Sequence, residues 1–345
     1  FGPGMMSGGI NLFQYIAYLI AAALYAAGFV EYTNSLFGGN LSPLLLKFIS
    51  VIIVLSCAFL NVLGTSLVGK VESLVIGLVI ISLLVFSAMG FQQVDVHHFS
   101  AIGSSLEGVV IAAGILYINF QGFGVVANAS ASMKAPQREL PVSMFSALIL
   151  VTVIYLAVSI VVVLLMSQQL ISADNGHVLA DAARIVAGKM GFIVISISAL
   201  LACAAAVNAT IFAASNIAAD VARKKEVSSA LGGTVLKSNL RSLTISSLGV
   251  IALVLLFPLS EVGKMASLGF LLVYAAVSYG HLRVYQKTGA NPKILWLAII
   301  VNLTLFAALF VNTVQTAPSS AIAMVVALGG SFVIEAFARL RKKAV

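Results

Sequence analysis

Continuous apolar runs, each close to the length that crosses a bilayer, most narrow what this chain can fold into. Ten occur, at about 10–33, 43–64, 71–90, 107–130, 141–167, 190–222, 240–259, 263–285, 294–312 and 319–340. At 1.5 Å of rise per residue, roughly 20 residues cover ~30 Å of hydrocarbon. A segment in lipid must satisfy its own backbone hydrogen bonds, so such runs become helices. A membrane β-barrel would alternate apolar and polar residues, and these runs do not. The expected fold class is an all-α membrane protein, with residues 1–345 forming a single transmembrane domain.

Composition closes the alternatives. Hydrophobic residues make up 61% of the 345 and charged residues only 9%, where soluble domains carry roughly 25% charge. So little charge cannot screen that much apolar surface from water, and a disordered chain is excluded on the same grounds. The net charge of +8 resembles that of a nucleic-acid binder, but the basic residues gather at span ends. Lipids are therefore expected as partners and nucleic acid is not. With the N-terminus in the cytoplasm, Lys47, Arg184, Lys189 and Lys264 lie outside and the other fifteen of the 19 Lys and Arg lie inside. This split follows the positive-inside rule and places both termini of this chain in the cytoplasm. The expected location is the plasma membrane.

Other polar features read plainly. Cys57 and Cys203 lie in apolar runs, as small buried hydrophobes do. Asp, Glu and His are scattered near span ends, and the neighbours His97 and His98 cannot share a helix face, so no enzyme activity, metal site or cofactor is expected. The outer stretch 168–189, with His177 and Asp181, is expected to hold a short surface helix. Glu335 and Arg339 stand at i, i+4 and are expected to pair on a helix surface.

The fourth span is unusual. Phe120-Gln121-Gly122-Phe123-Gly124 falls near its middle, beside Asn119. Each glycine weakens a helix by ~1 kcal/mol relative to alanine, and Asn119 and Gln121 are polar within an apolar run. Broken helices are tolerated at membrane depth where they line a cavity, and transporters build binding sites from them. Spacing alone equally allows a glycine-rich face for close helix packing. After the span comes Lys134-Ala-Pro136-Gln-Arg138-Glu-Leu-Pro141, a short connector whose last proline opens the next helix.

Together these two motifs resemble the amino acid–polyamine–organocation (APC) superfamily of permeases, which carries a broken sixth helix followed by a Lys-x-Pro-x-Arg-x-x-Pro connector. The stretches Asn61-Val-Leu-Gly64 to Glu72, Asn208 to Asn216 and Ser267 to Tyr274 are similar to other family segments. The resemblance covers nearly the whole chain and implies the LeuT-like inverted-repeat transporter fold. Under it, the ten spans correspond to family helices three to twelve. The chain is therefore expected to be a fragment lacking the first two of twelve helices, and with them the broken first helix that faces the sixth across the site.

The implied function is secondary active transport of amino acids by alternating access. The alternative is a receptor or assembly protein that keeps the permease fold without transporting. Main-chain groups of Asn119, Phe120, Gln121, Gly122, Phe123 and Gly124 would contact substrate, with Phe120 or Phe123 closing over it. Tyr18, on one face with Ala21, Ala22 and Tyr25, is a candidate side-chain contact. Asn208 and Ser215 are candidates too, with interhelical hydrogen bonding the default reading for Asn208. No acidic side chain falls in the expected pocket, which favours neutral amino acids over cationic ones. Coupling to a proton, coupling to sodium and exchange all stay open: Gly124 and Ser132 replace acidic residues of some relatives, and Gly77 to Ile80 carries no lysine.

Overall fold

The computed structural model describes residues 4–63, 65–94, 105–122, 126, 133–171, 176–223 and 235–343. These residues form helices and connectors, with no strand among them. Ten main helices follow one another: α1 (Met5–Leu36), α2 (Pro43–Leu63), α3 (Thr65–Gly90), α4 (Leu106–Leu116), α5 (Pro136–Leu165), α6 (Val178–Arg223), α7 (Val235–Leu256), α8 (Leu259–Leu282), α9 (Pro292–Thr316) and α10 (Pro318–Lys343). Eight are long and apolar enough to cross a membrane, while Leu106–Phe120 and Leu240–Leu256 are shorter apolar helices. In the fourth expected span the α-helix thus runs unbroken only to Leu116, and Val126 is again helical. Part of its remainder, including Phe123, Gly124 and Ser132, lies outside the described residues, as do His97 and His98.

Two helices form the centre. In α1, 61% of the apolar window is buried, and in α8 50%, against 17–22% in the other spanning candidates. The cause is residue size. Ala17, Ala21, Ala22, Ala23 and Ala26 of α1 are all 2% exposed or less, and small side chains let helix backbones approach closely where lipid gives no hydrophobic drive for association. A Cβ added to Gly269 of α8 would stand 3.1 Å from that of Ala17. α1 packs on α2, α6, α7, α8 and α10, and α8 packs on α4, α9 and α10. The outer helices expose large apolar side chains, such as Leu78, Ile149 and Val326, as lipid contact requires.

Helix α6 is really two. Ala187 and Gly188 leave helical geometry, with φ of +62° at the glycine, a backbone position that suits a residue without Cβ. The first part is the short helix expected in the 168–189 stretch. Asp181 there pairs with His177 and Arg184, and the Arg184 guanidinium lies 4.0 Å over the Phe192 ring. Gln93, from beyond α3, donates to the Val186 carbonyl at 3.0 Å, satisfying a group that the kink releases.

One expected surface pair is buried instead. Glu335 is fully buried, and Arg339 Nε donates to its carboxylate at 2.7 Å. The carboxylate fits a notch at Gly8 of α1, where an added Cβ would collide with it, and Phe332 fills the next notch at Gly9. An all-apolar helix gives no periodic sign of which side a neighbour covers, so the i, i+4 spacing by itself suggested a surface. Replacing Gly8 by valine should force the carboxylate out and cost ~1–3 kcal/mol, as overpacking does. Thermal unfolding in detergent should show the drop, and an unchanged midpoint would rule out the notch.

Candidate functional site at the break in α4

The local chain explains where α4 begins and ends. Ser105 caps its start, the side chain accepting from Gly108 N at 3.0 Å, a favoured role for serine. At the other end Tyr117 N–H bonds the Gly114 carbonyl, and Tyr117–Phe120 continues as one tight 3-10 turn. Gln121 N closes it onto the Ile118 carbonyl at 3.1 Å. Gln121 and Gly122 then form an open turn. The α-helix therefore stops at the predicted segment, with its last regular turn a few residues earlier than the glycines.

Two neighbours hold this turn. From α8, Ser267 Oγ donates to the Ile115 carbonyl at 2.6 Å and accepts from Ile118 N at 3.3 Å. From α5, the Tyr155 hydroxyl donates to the Asn119 carbonyl at 3.2 Å, and its ring meets Phe120 edge-on at 5.6 Å. Neither Ser267 nor Tyr155 stood out in the sequence as a site residue. Aromatic rings extend the wall: Tyr117 contacts Tyr274 at 6.4 Å, Tyr274 stacks on Phe270 at 6.3 Å, and Phe270 meets Tyr18 at 5.2 Å. Such pairs favour offset or edge-to-face geometry. Tyr18, expected at the site from its helix face, is thus joined to the α4 turn through two rings of α8.

Gln121 gives the turn its chemistry. The side chain is 5% exposed and beside Tyr117, and its carbonyl oxygen has no hydrogen-bond partner among the described residues. An unmet buried acceptor costs free energy until a donor arrives. Gly122 is exposed, and a Cβ added to it would meet no described atom within 4 Å. Asn119 is exposed and Phe120 half-buried. Together the turn offers an acceptor, the carbonyl end of a helix with its partial negative charge, and aromatic walls.

The remaining candidates lie apart from it. Asn208 of α6 donates to the Glu72 carboxylate of α3 at 2.7 Å and accepts from Asn61 of α2 at 2.9 Å. Asn61 also donates to the Cys57 carbonyl at 3.0 Å. Asn208 thus follows its default reading, joining three helices. Glu72 was legible only as part of a connector motif; its role as Asn208's acceptor had no sequence signal. Ser215 donates to Phe212 O at 2.9 Å within its own helix. It borders a cavity of about 310 Å³ with Asn61, Asn216 and Leu240, whose lining includes no residue of α4. Cys57 and Cys203 are free thiols.

Comparison with known proteins adds a family. The profile described as amino acid permease matches residues 3–332. The chain is 28% identical over 312 residues to an uncharacterised protein of Methanocaldococcus jannaschii, covering 88% of this chain and 71% of that one. It is 26% identical over 308 residues to the inner membrane transport protein YbaT of Escherichia coli K12, with the same two coverages. The serine/threonine exchanger SteT of Bacillus subtilis matches at 25% over 275 residues, 79% of this chain and 62% of the exchanger.

The Asn61–Asn208 contact makes a separate prediction. Interhelical hydrogen bonds in membranes are worth ~0.6 kcal/mol on average and up to ~1.7. A double-mutant cycle of Asn61→Ala and Asn208→Ala, read by unfolding in detergent, should give an interaction energy in that range. Strict additivity would mean that the pair is not coupled.

Proposed function

The chain belongs to the amino acid permease family, and on that footing we propose that it carries out secondary transport of neutral amino acids by alternating access, with the α4 turn holding the substrate. The observation that carries this reading is the buried Gln121 side-chain oxygen, without a partner among the described residues, next to the exposed Gly122. The substrate ammonium sits against that oxygen and the carbonyl end of α4. Phe120 covers it, and Tyr18 with its aromatic neighbours forms the far wall. The wall groups are aromatic, amide and hydroxyl, which suits an uncharged side chain better than a lysine or arginine. Asn208 and Ser215, hydrogen-bonded away from α4, are assigned to helix packing. The membrane is the plasma membrane, with both termini of this chain on the cytoplasmic side, and transport runs on a proton gradient, a sodium gradient or exchange.

The test is uptake by the complete protein in proteoliposomes, using a panel of labelled amino acids under proton and under sodium gradients. Saturable uptake or exchange of neutral amino acids, in excess of lysine and arginine, is expected. No saturable transport of any amino acid would point to a receptor or assembly role. A second expected outcome concerns Gly122→Leu. Gly122 is exposed, so the protein should fold and insert normally, yet transport should fall at least tenfold because the leucine occupies the substrate's space. Wild-type transport by that variant would remove Gly122 from the site.

A further inference from the structure

The glycines do not explain where α4 stops. The α-helical hydrogen-bond pattern gives way to a 3-10 pattern over Tyr117–Phe120, a stretch that contains no glycine or proline. In a continuous α-helix, Ile118 N–H would donate to the Gly114 carbonyl. Here Tyr117 N–H takes that carbonyl, and the Ile118 amide turns to Ser267 Oγ at 3.3 Å. The same hydroxyl passes its proton on to the Ile115 carbonyl at 2.6 Å. A fully buried serine of a neighbouring helix is therefore inserted between an amide and a carbonyl three residues apart, at the point where the pitch changes. It satisfies both groups, as the apolar interior demands, and uses its donor and one acceptor to do so. The anchor is firm, since α8 is one of the two central helices, whereas the start of α4 is open at Leu106 and Val109.

We propose that Ser267 is a positioning residue that sets where α4 tightens into the 3-10 turn, acting through Ile115 and Ile118, and so decides how the Gln121 and Gly122 turn is presented to substrate. Only its kinetic consequence rests on the transport reading above. A 3-10 turn has poorer hydrogen-bond geometry than an α-helix and is used in short pieces. Without the hydroxyl this one loses the contact that holds its first residues, and only the Tyr155 contacts at Asn119 and Phe120 remain from its neighbours.

The experiment is amide hydrogen exchange of the full-length protein across residues 115–121, with transport kinetics beside it. S267A should exchange several-fold faster there than wild type and no faster elsewhere in α8. S267C, which keeps a weaker donor and acceptor in a similar space, should fall between the two. In transport, S267A should raise KM roughly tenfold, the scale of losing these hydrogen bonds, with a smaller change in maximal rate. Wild-type or slower exchange at 115–121 in both variants overturns the proposal, as does faster exchange spread evenly over the protein. If S267A does not fold, S267C decides alone: local acceleration supports the assignment and its absence overturns it. A wild-type protein that transports nothing removes the transport reading but leaves the exchange result to judge Ser267, since that readout needs no substrate.

Discussion

A helix that stops inside an apolar bundle creates a debt of unpaired amides and carbonyls, and how that debt is met organises this protein. Hydrocarbon offers no water to bond them. The hydroxyl of Ser267 takes the Ile115 carbonyl and the Ile118 amide, and Tyr155 takes the Asn119 carbonyl. The same solution recurs at the other break: Gln93 bonds Val186 where α6 kinks at Gly188. At α4, one acceptor stays unmet. The Gln121 side-chain oxygen is buried and without a partner among the described residues.

The clamps act only because their supports are rigid. Ser267 stands on α8, which is locked to the alanine face of α1 through Gly269. That face brings α1 and α8 close enough for Tyr18 and Phe270 to meet edge-on, with ring centres 5.2 Å apart. The Gly8 and Gly9 notches fasten α10 to the same helix through Glu335 and Phe332. The polar contact of Asn61, Asn208 and Glu72 joins α2, α3 and α6 away from the turn. Small residues thus set the spacing of the centre, and a few buried polar contacts set its register.

The sequence made helices and their approximate limits legible because apolar run length is a direct consequence of bilayer thickness. It also made the α4 break legible, since two glycines beside Asn119 and Gln121 are costly in an ordinary span. Ser267 was not legible as an anchor: a lone serine in an apolar helix looks like any small packing residue until its neighbour is known. Glu335 was misread as a surface residue for a related reason, because a helix apolar on all sides hides which face meets another helix. Asn208 showed the reverse case. Its need for a partner was evident from its polarity, but Glu72 as that partner depended on three helices meeting. The family match of residues 3–332 agrees with the resemblance carried by the connector motif.

The central claim is that an amino acid binds at the α4 turn. The most direct measurement is the hydrogen-exchange footprint of the complete protein with and without a saturating neutral amino acid. The account predicts protection concentrated at residues 116–122, with lesser effects at the aromatic wall. Saturable binding that protects other segments and leaves 116–122 unchanged would contradict it.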